Sequence, residues 1–196
     1  MINTNYQAYN PSFGASCAGK ITINAKNEAG KVVPKDVRVA ILNVNYFPDF
    51  RAIRNLSNFW ERKTGGHIIS SIFDYAQKDV AKVNENYPYR VYYAVTTQDG
   101  DLKKLDPKKI LGIATVLEKD NAKRHTVSWL QVNPIYNYSA KGHKRKYKKI
   151  GEQLIKFIRE YGGKPLETNA EDDTVNFYKK IGFTPFTNEK YHMYMN

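Results

Sequence analysis

Between Tyr89 and Val132 three strand-like segments follow one another with no room for a helix between them. They are YRVYYAVTT (89–97), KILGIATVL (109–117) and HTVSWLQV (125–132). Each is rich in β-branched and aromatic residues. Each ends in turn or charged chemistry: Gln98-Asp99-Gly100-Asp101, then Lys119 to Lys123, then Asn133-Pro134. The connections are too short for the crossover helices that parallel neighbours need, so three successive antiparallel strands are predicted. In the third, Val127, Trp129 and Gln131 are expected on one face, against Ser128 and Leu130.

The other elements have to pack on that sheet. Lys20 to Ala25 alternates Ile21, Ile23 and Ala25 against Thr22, Asn24 and Lys26, and Val37 to Tyr46 is a second β-branched run. Turn chemistry at Asn27, Gly30 and Pro34 separates them. Phe50, Ile53, Leu56, Phe59 and Trp60 form a helical stripe that ends near Lys63 and is stopped by Thr64-Gly65-Gly66. A second helix is expected over Ile68 to Val80. After the three strands, Ile150, Leu154, Phe157, Ile158 and Tyr161 recur with the 3.6-residue period, and Gly162-Gly163 ends that helix. Lys164 to Asn169 reads as a short strand. A last helix carries Val175, Phe177, Tyr178 and Ile181, with Asp172 and Asp173 as N-cap residues and Gly182 closing it. Phe183 to Phe186 and Tyr191 to Met195 are final strand pieces. The expected order is β-α-α-β-β-β-α-β-α-β-β. That is an α+β chain of three layers, a mixed, mostly antiparallel sheet flanked by helices.

A chain of 196 residues with 41% hydrophobic content is expected to form one domain, over 18–196, behind a poorly ordered leader at 1–17. No apolar run approaches the roughly 18 residues of a membrane span, and the N-terminal residues lack a signal-peptide pattern. Cys17 is the single cysteine, which excludes an internal disulfide and fits a reducing, cytoplasmic location. His67, His125, His143 and His192 have no metal-binding spacing, so no metal is expected. The net charge of +12 favours anionic partners: nucleotide cofactors, nucleic acid or acidic proteins.

One stretch gives that charge a location. Lys144, Arg145, Lys146, Lys148 and Lys149 form a basic collar immediately before the helical stripe that begins at Ile150. A helix N-terminus already presents unpaired N–H groups and partial positive charge, so the collar makes a polyphosphate site. Gly151 lies in the first turn, where Gly costs about 1 kcal/mol relative to Ala. Its missing side chain lets something approach the backbone closely. The alternative is a solvated basic face on an ordinary surface helix.

Three motifs then resemble the GNAT superfamily of acetyl-CoA-dependent N-acetyltransferases, over about Lys109 to Phe186. Val132-Asn133-Pro134 is similar to the V-x-P that ends the family's fourth strand. Lys146-Tyr147-Lys148-Lys149-Ile150-Gly151 is similar to its pyrophosphate loop, [QR]-x-x-G-x-[GA]. Phe177-Tyr178-Lys179-Lys180-Ile181-Gly182-Phe183 matches the F-Y-x-K-x-G-F end of its last helix. Upstream the resemblance is one of element order only. Lys149 stands where the family usually has Gly and Lys146 where it has Gln or Arg. Ile135 to Lys144 reads as an insertion. Glu171 and Thr174 replace the usual Asn and Ala, and Asn169 is assigned the asparagine's task.

The resemblance implies acetyl-CoA as cosubstrate, with its pyrophosphate held by Lys144, Arg145, Lys146, Tyr147, Lys148, Lys149, Ile150 and Gly151. It implies a splay between two strands that leaves the backbone of Leu130, Gln131 and Val132 for the pantetheine amides. It implies acetyl transfer to a primary amine by direct attack on the thioester, with Tyr178 protonating the CoA thiolate. Glu167 is the first candidate for general base, ahead of Glu118 and His125; a structural pair is the alternative for Glu167. The acceptor is expected between the two N-terminal helices, roughly Asp49 to Val80, and the loop near the last strands. The alternative function is a basic nucleic-acid-binding protein, or acetylation of an RNA-linked amine such as aminoacyl-tRNA, from the Tyr-interleaved run Tyr136 to Lys149.

Overall fold

The computed structural model describes residues 16–43, 46–64, 89–98, 102, 105–119, 122–136 and 146–196. The expected second helix, residues 1–15 of the expected leader, most of the insertion, and His67, His143, Lys144 and Arg145 lie outside the described residues.

Nine strands form one sheet, in the order β6-β1-β2-β3-β4-β5-β7-β9-β8. The strands are β1 (Ser16–Lys26), β2 (Val32–Leu42), β3 (Tyr89–Thr97), β4 (Ile110–Lys119), β5 (His125–Val132), β6 (Tyr147–Lys148), β7 (Leu166–Asn169), β8 (Thr184–Pro185) and β9 (His192–Met195). Three helices are described: α1 (Phe47–Thr64), α2 (Ile150–Gly162) and α3 (Val175–Lys180). The predicted meander is present, β3 antiparallel to β4 and β4 to β5. The only parallel pair among the described strands is β5 with β7.

The two sheet faces are covered by different helices. Ile21, Ile23 and Ala25 of β1, with Val37 and Val39 of β2, point to the face covered by α2 and α3. There they meet Leu154, Ile155 and Ile158, each fully buried. Burying a side chain of that size is worth about 1.5–3 kcal/mol. On the opposite face Ile53, Leu56 and Trp60 of α1, also fully buried, pack against Leu42, Val95, Ile110 and Ile113. Among the described residues no helix is long and apolar enough to cross a membrane.

Several boundaries depart from the sequence reading, for identifiable reasons. Both N-terminal runs are strands joined as a hairpin, so the order opens β-β rather than with a single strand. The turn is tight: Asn27 Oδ1 accepts from Lys31 N at 2.9 Å, and Gly30 N donates to Asn27 O at 2.9 Å. β2 therefore starts at Val32 and runs through Pro34. Pro34 faces Asn24 of β1, while β3 pairs with β2 only from Arg38 onward, so no β3 ladder bond is lost at the proline. At the other end, Tyr46 leaves the strand for the turn into α1, where the buried Asp49 accepts from Asn43 N at 2.8 Å.

In β5 the expected alternation breaks. Val116 pairs with Val127 but Thr115 pairs with Trp129, so Ser128 is the extra residue of a bulge. Val127 consequently faces α2 and α3, and Trp129 faces α1.

The cap of α3 also differs. Asp172 does not cap it; its carboxylate takes Lys190 Nζ at 2.7 Å and the Tyr191 hydroxyl at 2.9 Å. Thr174 is the N-cap, its hydroxyl exchanging bonds with the backbone of Glu171.

Candidate active site at the splayed strands

The parallel ladder between β5 and β7 contains two register pairs, His125 with Leu166 and Thr126 with Glu167. β5 continues to Val132 with a partner on its β4 side only. Leu130, Gln131 and Val132 thus lie on the opened arm, with no ladder partner on the β7 side among the described residues. One carbonyl there is already occupied, since Gln131 Nε2 donates to Val132 O at 3.0 Å.

The apex of the opening is held by side chains. Thr168 of β7 donates its hydroxyl to Val127 O at 2.8 Å, bridging the two strands just past their last paired residues. The Tyr178 phenol bonds Thr168. Tyr178 is buried, with Phe177 and Phe183 packed edge-on at 5.1 and 5.2 Å between centroids. Burial, above all, pushes the phenol above its ordinary value; the Thr168 hydroxyl pulls it back and Glu171 adds to the rise. The group is a protonated donor at neutral pH.

The first turn of α2 lies beside the open arm. Its N-cap residue, Lys149, makes no side-chain cap bond, which leaves the leading N–H groups that a helix start offers without that partner. Lys146, Lys148 and Lys149 are exposed around it. Tyr147 and Lys148 form the short strand β6 against Ala25 and Asn24. The Tyr147 side chain is buried, its hydroxyl donating to Gln98 Oε1 at 3.0 Å, so what it offers a ligand is backbone. Ile150 is likewise buried, against Gly112.

Gly151 is tight for an internal reason: a Cβ there would stand 3.3 Å from Phe177 Cζ and 3.5 Å from Leu130 Cδ2. The close approach expected from the sequence is made by the protein's own side chains.

Lys149 occupies the glycine position of the loop motif and has φ 65°, ψ 14°. A left-handed conformation costs an L-residue roughly 1–2 kcal/mol, part of which glycine gives back as backbone entropy. Lys149→Gly is therefore expected to raise stability by about 0.5–1 kcal/mol, read as a higher midpoint in urea at an unchanged m-value.

The three candidate bases separate in space. Glu167 is half-buried and faces away from Thr168, its neighbour in the strand. Its Oε1 accepts from the Thr126 hydroxyl at 2.9 Å, and its Oε2 lies 3.8 Å from His192 Nε2. Asn169 is exposed and stands opposite His192 in the β7–β9 ladder.

His125 instead lies under the C-terminus of α2, where a Cβ on Gly162 would come within 2.6 Å of its Nδ1. Glu118 Oε1 is 3.6 Å from that nitrogen. The pair belongs to the closed end of the β5–β7 junction.

Burial lowers the His125 value below the ordinary 6.5, against a raising contribution from Glu118, and Lys164 lowers it further. The folded state thus binds this proton less readily than the unfolded chain. Stability is lost as pH falls through 6.5, where the unfolded chain gains the proton first. The thermal midpoint of the protein is expected to drop between pH 7 and pH 5, and to drop less in His125→Gln.

Two residues of this region were not singled out by sequence. Thr168 carried no signal, since its role depends on the register of β7 against β5. His192 had no motif spacing; only the β7–β9 pairing brings it to Glu167.

No protein-family model matches the sequence, and no curated protein matches it. Solved structures of similar chain path include the PaiA N-acetyltransferase of Thermoplasma acidophilum in complex with coenzyme A, at 16% identity and TM-score 0.42, covering 81% of this chain and 98% of that one. An acyl-CoA N-acyltransferase from Pseudomonas aeruginosa is similar at 11% identity and TM-score 0.47, covering 82% and 99%. Escherichia coli ElaA is similar at 14% identity and TM-score 0.46, covering 81% and 99%.

Proposed function

We propose that this chain is an acetyl-CoA-dependent N-acetyltransferase of the GNAT type, transferring acetyl directly to a primary amine. The observation that carries the reading is the buried Tyr178 phenol at the apex of the β5–β7 opening, beside an uncapped α2 N-terminus. An acyl carrier with a diphosphate at one end and a thioester at the other needs both features at once.

The parts divide the work as follows. The first N–H groups of α2 take the pyrophosphate, and Lys146, Lys148 and Lys149 supply countercharge; Lys144 and Arg145 belong to the same collar in sequence. The pantetheine arm lies along Leu130 to Val132 and pairs with backbone there as an added strand. A backbone N–H on that arm polarises the thioester carbonyl. A lysine-like amine, with pKa about 10.4, is neutral in less than about one part in a thousand at pH 7, so a base must take its proton. Glu167 presents that base on the face opposite Tyr178. The amine nitrogen forms the bond to the carbonyl carbon, the carbon–sulfur bond breaks, the thiolate takes the phenol proton, and the second proton lost by the nitrogen restores the phenol.

Acetyl-CoA at 100 times its dissociation constant is expected to stabilise the protein by about 2.7 kcal/mol. Isothermal titration and thermal melts read this directly. Absence of any binding at high micromolar acetyl-CoA would sink the assignment.

A further inference from the structure

His192 sits between two carboxylates. Its Nδ1 is 3.0 Å from Glu189 Oε2, within hydrogen-bond reach. A carboxylate only accepts, so Nδ1 carries the hydrogen and the neutral ring keeps its lone pair on Nε2. That lone pair faces Glu167 Oε2 at 3.8 Å. In that neutral form two acceptors confront each other there, too far apart for a direct bond. A nitrogen about 2.9 Å from each fits the gap and donates to both.

The surroundings hold this arrangement. Glu167 is pinned by Thr126 through its other oxygen at 2.9 Å. The His192 ring lies 4.2 Å from the Phe186 ring. Among the described residues the charged groups in contact with the ring include Glu167 on β7 and Glu189 in the turn before β9, and Arg124 stacks over the neighbouring Phe186 and Tyr194 rings at 5.5 and 5.1 Å. The ring thus has a carboxylate on each side, Glu189 at Nδ1 and Glu167 at Nε2.

We propose that the acceptor amine enters as an ammonium held between Glu167 Oε2 and His192 Nε2, and that His192 takes its proton as the general base. The proposal rests on the acetyltransferase reading and moves the terminal proton acceptor from Glu167 to His192. Glu167 binds the ammonium, and Glu189 fixes the tautomer and stabilises the imidazolium. One N–H bond of the ammonium breaks, with its proton going to Nε2. The freed lone pair forms the bond to the carbonyl carbon. The carbon–sulfur bond then breaks, and the thiolate takes the Tyr178 proton. As the tetrahedral intermediate collapses its nitrogen gives up a second proton, which restores Tyr178, and His192 releases the first to solvent. Ammonium and acyl-CoA give amide, free CoA thiol and one proton. The substrate class is an unhindered primary ammonium on a cationic or neutral molecule.

The test has two readouts. Ring-nitrogen NMR of the full chain is expected to show His192 protonated at Nδ1 when neutral. Added n-butylammonium should shift its Nε2 resonance in the wild type and not in Glu167→Gln. An Nε2–H tautomer, or no amine-dependent shift, overturns the proposal whether or not any amine is acetylated.

With acetyl-CoA and n-butylamine, thiol release by His192→Gln is expected to fall about 100-fold. Acetyl-CoA affinity should be unchanged. Retention of rate in that variant equally defeats the idea. Failure of the wild type to bind acetyl-CoA would instead remove the acetyltransferase reading, while leaving the tautomer result standing.

Discussion

Tyr178→Phe lowers kcat by about 100- to 1000-fold while acetyl-CoA binds nearly as before, if the phenol is the acid that receives the thiolate. The fold tolerates the change. The ring stays between Phe177 and Phe183, and Thr168 keeps its bond to Val127 O. Loss of one hydrogen bond between neutral partners costs about 0.5–1.5 kcal/mol. Kinetics and calorimetry on the same preparation separate the two effects. A parallel loss of binding and turnover would mean that the hydroxyl only positions the substrate.

The pH dependence adds an independent check. Burial raises the phenol's ionisation above 10, so wild-type turnover should fall only in strongly alkaline solution. The Phe variant has no such limb to lose.

Leu154→Ala acts on the scaffold rather than the chemistry. Leu154 is fully buried on the stripe of α2, beneath the sheet, with Gly112 of β4 close by. Cutting its isobutyl side chain back to a methyl leaves a cavity in the cluster it shares with Ile150, Ile155 and Ile158. The cost is about 2–5 kcal/mol. For a chain of this length that is a fall in thermal midpoint of about 5–15 °C, measurable by circular dichroism. Below the melting range the residual folded protein should still turn over. An undiminished midpoint would show that α2 is not a cooperative part of the core.

Much of this architecture was legible because it depends on local period. Ile21, Ile23 and Ala25 repeat every second residue and are buried together; Ile53, Leu56 and Trp60 repeat as a helix does and are buried on the other face. Gly163 ends α2 in the left-handed conformation that the glycine pair announced. What was not legible depends on register between distant segments. The Ser128 bulge inverts the facing of Val127 relative to Trp129, and no local pattern announces it. Pro34 read as a turn because its harmlessness depends on where β3 begins to pair. Gly151 read as an opening for a ligand because its neighbour, Phe177, is 26 positions further along the chain.

The candidate site divides the same way. Tyr178 was nominated from a motif. Thr168 and His192 acquire partners only when β7 is paired on both sides, with β5 through Leu166 and Glu167, and with β9 through residues up to Asn169.

The two-residue strand β6 has a mechanical consequence. Lys26 N donates to Lys146 O at 2.8 Å, and Asn24 and Ala25 pair with Lys148 and Tyr147, immediately before the strained Lys149. The left-handed step at Lys149 turns the chain from strand into helix, so the hairpin acts as a clamp on the start of α2. The clamp and the first turn are therefore expected to open together, which amide exchange on both would show. If an anion grips the helix end as proposed, amide exchange at Lys26 is expected to slow with occupancy there, since its N–H is bonded to Lys146 O.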